Sequence, residues 1–153
     1  MPLTMRTIGT CRPGALHTEL KTASHVFSIV DAPSLAMKTH PNITFADVPL
    51  PDPTHRTPWT SSELRAFKSL ALRALTVANV NSDRSLLFVC RAGKNRSRAL
   101  LWAVSHGLGI EPTSPPPVDP EMAELARMVF THDYEKLTQW PQTRPRHLKR
   151  ARS

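Results

Sequence analysis

LLFVCRAGKNRSRALL, Leu86 to Leu101, is the stretch whose reading decides the fold. Leu86, Leu87, Phe88 and Val89 form a short apolar run with strand character, Cys90 opens a turn holding Gly93 and Asn95, and Arg96 begins a helical pattern. The order is strand, tight loop, helix. Such a helix start turns several backbone N–H groups and the positive end of the helix dipole into one concavity, which favours a bound anion. A thiol at the mouth of that concavity is drawn toward thiolate, which makes Cys90 a candidate nucleophile. Arg96 opposes the dipole where it stands, and an anion held between the two accounts for its placement.

Working outward, Thr60 to Ala78 reads as the clearest helix. Thr60 and Glu63 form a capping box, and Leu64, Phe67, Ala71, Ala74, Leu75 and Ala78 share one face. Strands are expected around Arg6 to Ile8, over His25 to Val30 and within Asn42 to Leu50, with a helical turn or two over Ala15 to Ala23. His25 is read as structural. The strand, helix, strand order leading into Cys90 predicts a right-handed crossover and a parallel pair. Three prolines in Pro51 to Trp59 exclude a helix or a central strand there and predict an exposed loop. After Cys90 a helix is expected from about Arg96 to His106, ended by Gly107, then an extended proline-rich connector from Glu111 to Asp119, then a final helix capped by Asp119 with Pro120 in its first turn. The fold class is therefore α/β: a small, mainly parallel sheet flanked by helices on both faces, over residues 1–140. Residues 141–153 form a basic tail with almost nothing to bury, expected to be disordered on its own.

At 153 residues and 40% hydrophobic the chain suits one domain with a real core, which excludes wholesale disorder. The excess of 20 Lys and Arg over 12 Asp and Glu favours polyanionic partners. Cys11 and Cys90 are the two cysteines, and neither lies in a spacing that ligates metal, so no metal site and no disulfide framework are expected. A free catalytic thiol suits a reducing compartment. No apolar run approaches the ~20 residues of a membrane span, and the expectation is a soluble, cytoplasmic monomer, with the basic tail also compatible with the nucleus.

Cys90, five intervening residues, Arg96 and Ser97 resemble the phosphate-binding signature of the cysteine-dependent protein tyrosine phosphatases, and CRAGKNRS resembles most the compact dual-specificity branch. The likeness runs at pattern level from about Ala23 to His106. It implies a protein tyrosine phosphatase-like fold and phosphate monoester hydrolysis through a phosphocysteine, with no cofactor. Cys90 would attack phosphorus and Arg96 would bind two phosphoryl oxygens through its planar fork. The backbone amides of Arg91, Ala92, Gly93, Lys94, Asn95 and Arg96 would cradle the remaining oxygens, and Ser97 would help the cysteine leave the phosphoenzyme. The leaving oxygen also needs a proton. Phe45 to Asp52, FADVPLPD, aligns with the acid-bearing segment of that branch and proposes Asp52, with Asp47 as competitor.

At one position the chain departs from the family pattern: Val89 stands where the family usually has His before the cysteine, and that opens a second reading, a pseudophosphatase that binds phosphorylated partners without turning them over. The substrate expected first is a phosphorylated protein. Lys94 resembles branches acting on inositol lipids or inositol pyrophosphates, and the pair Asn95-Arg96 resembles the branch that trims RNA 5′-phosphates, so phosphoinositide and RNA are alternative partners. The tail from Arg144 to Arg152 fits polyanions too, through counterion release, but no aromatic-rich surface for stacking RNA bases is evident.

Overall fold

Ser85–Cys90 buries both of its faces, with Leu86 and Phe88 in one apolar core and Leu87 and Val89 in another. A strand covered on both sides belongs inside a parallel sheet with helices above and below. The computed structural model describes residues 3–30, 33–51, 59–80 and 84–138, and in it this strand is central. The elements in chain order are β1 (Thr4–Gly9), α1 (Pro13–Thr22), β2 (His25–Ser28), α2 (Leu35–Lys38), β3 (Ile43–Phe45), α3 (Ser61–Val80), β4 (Ser85–Cys90), α4 (Arg96–Leu108), α5 (Pro120–Met128) and α6 (His132–Thr138). The four described strands run parallel in the order β1-β4-β2-β3, with Gly9 opposite Cys90 and Ser28 opposite Val89. The architecture is α/β, a small parallel sheet between helices.

Each face is closed by apolar side chains at helical spacing. Leu16 and Leu20 of α1 and Met37 of α2 join Val26, Leu87 and Val89 on one side. On the other, Phe67 and Leu70 of α3, Leu100 and Leu101 of α4 and Met122 of α5 pack with Phe27 and Phe88, whose rings stack at 5.7 Å between centroids. The capping box forms as read. The Glu63 N–H donates to Thr60 Oγ1 (3.2 Å) and the Thr60 N–H to Glu63 Oε1 (2.7 Å). Asp119 caps α5 by accepting from the Glu121 N–H (3.2 Å). Among the described residues, no helix is long and apolar enough to cross a membrane.

Several expectations are corrected. The strands joined through α3 are parallel but do not pair, because β2 lies between β3 and β4. Gly107 does not end α4: the helix runs on to Leu108 and is closed by Gly109, whose φ of 71° is left-handed. Gly107 instead lets α4 approach its neighbours, since a Cβ there would stand 3.0 Å from both Leu75 and Phe130. Trp59, expected in an exposed loop, is buried against Phe67 and donates from Nε1 to the Pro51 carbonyl (2.7 Å), tying together the two ends of residues 52–58. Those residues, and the basic tail, lie outside the described residues. The expected final helix is followed by another, α6, whose buried Tyr134 donates its hydroxyl to the Leu64 carbonyl (2.8 Å) and whose Glu135 pairs with Lys68.

His25 opens β2, and burial first, then the charge of Arg84 and His40, holds its imidazole below the ordinary histidine value. Its proton is therefore bound more weakly in the native state than in the unfolded one. The stability linked to His25 is complete above about pH 6.5 and is lost as pH falls below that value toward the depressed native one. His25→Gln is expected to flatten this part of the curve, so that the urea midpoint falls less between pH 7.5 and 5.5 than in the parent. Parallel profiles for the two proteins would remove His25 as the cause.

Candidate active site

The site is built where β4 runs out. Cys90 is its last residue, 1% exposed, and α4 starts six residues later. Between them the chain turns tightly, and its carbonyls are claimed from outside. The Ile29 N–H donates to Val89 O (3.0 Å), Thr10 N–H to Cys90 O (3.0 Å), Cys11 N–H to Arg91 O (3.1 Å) and Val118 N–H to Lys94 O (3.2 Å). In a planar trans peptide the N–H points opposite to the C=O. Turning the carbonyls of Cys90, Arg91 and Lys94 outward therefore turns the amides of Arg91, Ala92 and Asn95 the other way, toward the concave side of the loop.

Two glycines make this turn sterically feasible. Gly93 has φ of 73°, and a Cβ on it would stand 2.7 Å from Gly9 N. A Cβ on Gly9 would in turn lie 2.6 Å from the carbonyl carbon of Ala92. The end of β1 and the loop thus touch backbone to backbone, with no room for a methyl group on either side.

The sulfur is held from two directions. The Gly93 N–H donates to Cys90 Sγ (3.1 Å), and the fully buried Ser97 hydroxyl lies 3.2 Å from Sγ in a second hydrogen bond. Arg96 donates from Nη1 to the Leu50 carbonyl (2.8 Å), which anchors one end of the guanidinium. Its Nε is buried with no hydrogen-bond partner among the described residues. A desolvated donor of that kind is costly unless an acceptor arrives. Asn95 does not cap α4 with its side chain; its Oδ1 accepts from the Asp119 N–H (2.8 Å), joining the loop to the start of α5. Arg91 and Lys94 are exposed at the rim, and no carboxylate pairs with them among the described residues.

The structure thus brings together Cys90, Arg91, Ala92, Gly93, Lys94, Asn95, Arg96 and Ser97 in one loop and helix start. Asp52 lies outside the described residues. Asp47 is exposed and engaged by Arg73 (3.3 Å). Val89 is fully buried among Leu16, Leu20 and Leu87, so its side chain supplies the loop with apolar support and no hydrogen bond. Sequence reading missed Gly9, the Leu50 carbonyl and the Asp119 amide. Gly9 had a signal, a glycine closing a strand, but its meaning depends on β1 pairing with β4. The other two are backbone groups, to which residue type gives no clue. Compared with known proteins, the chain matches no family model, no curated protein and no solved structure.

Chemically, the arrangement offers a buried thiol, a candidate nucleophile, at the base of an amide-lined, cationic concavity sized by backbone contact. Gly9→Ala is expected to cost about 1–3 kcal/mol, as overpacking does. Gly14→Ala, in α1 with nothing within 4 Å of the added carbon, is expected to be neutral or stabilising. Urea denaturation of the two variants checks this, and equal midpoints would contradict the tight contact.

Proposed function

We propose that the chain is a cysteine-dependent phosphate monoester hydrolase of the protein tyrosine phosphatase type, with a compact dual-specificity-like fold and phosphorylated protein as its first substrate class. The observation that carries the reading is the pairing of Cys90 Sγ, held by the Gly93 amide and the Ser97 hydroxyl, with an Arg96 whose buried Nε has no hydrogen-bond partner among the described residues.

The steps follow from these groups. Cys90, as thiolate, attacks phosphorus; the P–S bond forms as the bond from phosphorus to the ester oxygen breaks. Charge on the three equatorial oxygens is met by the loop amides and by Arg96. Asp52 gives its proton to the departing oxygen and then takes one from the water that attacks the phosphocysteine. The P–S bond breaks, and the Ser97 hydroxyl donates to the sulfur as negative charge returns to it. Inorganic phosphate leaves and the thiolate is restored.

Val89 favours the second reading, a binder of phosphorylated partners. The fully buried valine gives no hydrogen bond to the loop before Cys90, and a nest that holds phosphoryl groups without fast turnover is the result.

Hydrolysis of a small aryl phosphate between pH ~5 and 8 separates the two. The expected outcome is turnover abolished by Cys90→Ser and lowered by about 10²- to 10⁴-fold by Asp52→Asn, the usual worth of a positioned acid. Wild-type rates in Cys90→Ser would overturn the hydrolase mechanism. A folded wild type that binds vanadate but hydrolyses nothing would establish the binder.

A further inference from the structure

A cleft of about 360 Å³ opens at the carboxyl ends of β2 and β3. Ile29 and Val30, just past β2, form one wall; Phe45, Val48 and Pro49, at and beyond the end of β3, form the other; Lys38 of α2 lines it as well. This is the end of the sheet at which Cys90 closes β4, and ligands of parallel α/β sheets bind at that end. Both walls connect directly to the candidate active site. The Ile29 N–H bonds Val89, the residue before Cys90, and Pro49 is followed by Leu50, whose carbonyl holds Arg96. A ligand with its phosphoryl group in the loop therefore has this cleft beside it.

We infer that the cleft is a side-chain subsite for a phosphorylated peptide, receiving an apolar residue next to the phosphorylated one. The inference rests on the reading of the Cys90 loop as a phosphoryl site and narrows its substrate class. The volume lies at the low end of the roughly 300–1,000 Å³ of small-ligand pockets, suited to one or two side chains. Its walls are chiefly aliphatic. Single-stranded RNA is held by aromatic planes and a cationic groove along the backbone, whereas the described residues lining this cleft include one aromatic ring and one lysine. Asp47, also at the cleft, is engaged by Arg73, while Lys38 has no carboxylate partner among the described residues. An acidic residue beside the apolar one complements the Lys38 charge.

The test compares phosphopeptides that differ only in having Leu or Ser beside the phosphorylated residue, with a 5′-phosphorylated oligonucleotide and a small aryl phosphate alongside. Wild type is expected to prefer the Leu peptide by about tenfold in kcat/KM, the worth of a filled apolar pocket. Val48→Asp is expected to collapse that ratio toward one. Lys38→Glu, an exposed position, is expected to reverse the preference for Glu over Lys beside the leucine. No preference in wild type, an unchanged Leu-to-Ser ratio in Val48→Asp, or faster hydrolysis of the oligonucleotide than of either peptide overturns the subsite. Aryl phosphate turnover without peptide preference would leave the hydrolase standing and remove only the cleft. If nothing is hydrolysed, the hydrolase reading fails, and fluorescence anisotropy of the same labelled peptides reads the subsite instead: tenfold tighter binding of the Leu peptide supports it, and equal binding overturns it.

Discussion

The backbone contact between Gly9 and the Ala92–Gly93 turn is the constraint on which the site depends. It sets how closely β1 approaches the loop. Beside that contact the amides of Thr10 and Cys11 reach the carbonyls of Cys90 and Arg91. Those bonds turn the loop's N–H groups toward its concave side, and the left-handed Gly93 brings its own amide onto the Cys90 sulfur. Without the contact, the same sequence would have the thiol and the arginine but no reason to hold amides between them.

The rest of the architecture serves to place and brace this turn. A parallel sheet brings the carboxyl ends of β1, β2 and β4 to one edge, so segments far apart in sequence donate to consecutive carbonyls of one loop. On the far side the proline-rich connector is fastened by Trp102 Nε1 to the Ser114 carbonyl (3.1 Å), by Val118 to Lys94 and by Asp119 to Asn95. Its prolines keep it extended, with few conformations to lose on docking. Arg96 is braced from a third direction by Leu50, and the next residue, Pro51, accepts from Trp59 Nε1. The loop is therefore over-determined, as preorganised electrostatic stabilisation demands.

Much of this was legible in the sequence wherever the signal is local. The capping box at Thr60, the cap at Asp119, the strand into Cys90 and the helix from Arg96 all depend on residues within a turn of one another, and all formed. What escaped depends on distant partners. Strand order is one such case, since nothing in β3 says that β2 will separate it from β4. Gly107 and Gly109 are equally good helix terminators by residue type; the contact with Leu75 and Phe130 explains why the first is used for packing. Helix α6 has a short, mixed sequence with no clean periodicity, and it is held by Tyr134, by Lys68 and by the Arg65 bond to the Thr138 carbonyl (2.9 Å). Trp59 looked exposed because its neighbours are prolines and polar residues, yet its indole found an apolar neighbour and a carbonyl together. At the candidate site, residue types point to Cys90, Arg96 and Ser97 as candidates, while the backbone groups that orient them became visible only with the sheet assembled.

The central claim is that phosphorus becomes covalently bound to the Cys90 sulfur during turnover. The most direct measurement mixes the protein with aryl phosphate, quenches within milliseconds and locates the phosphoryl group by mass spectrometry of proteolytic peptides. The account predicts one phosphoryl group, on the peptide containing Cys90, accumulating further in Ser97→Ala, where the sulfur loses the hydroxyl that assists its release. Steady hydrolysis with no phosphorylated peptide in either protein, or with the label on another residue, would contradict it.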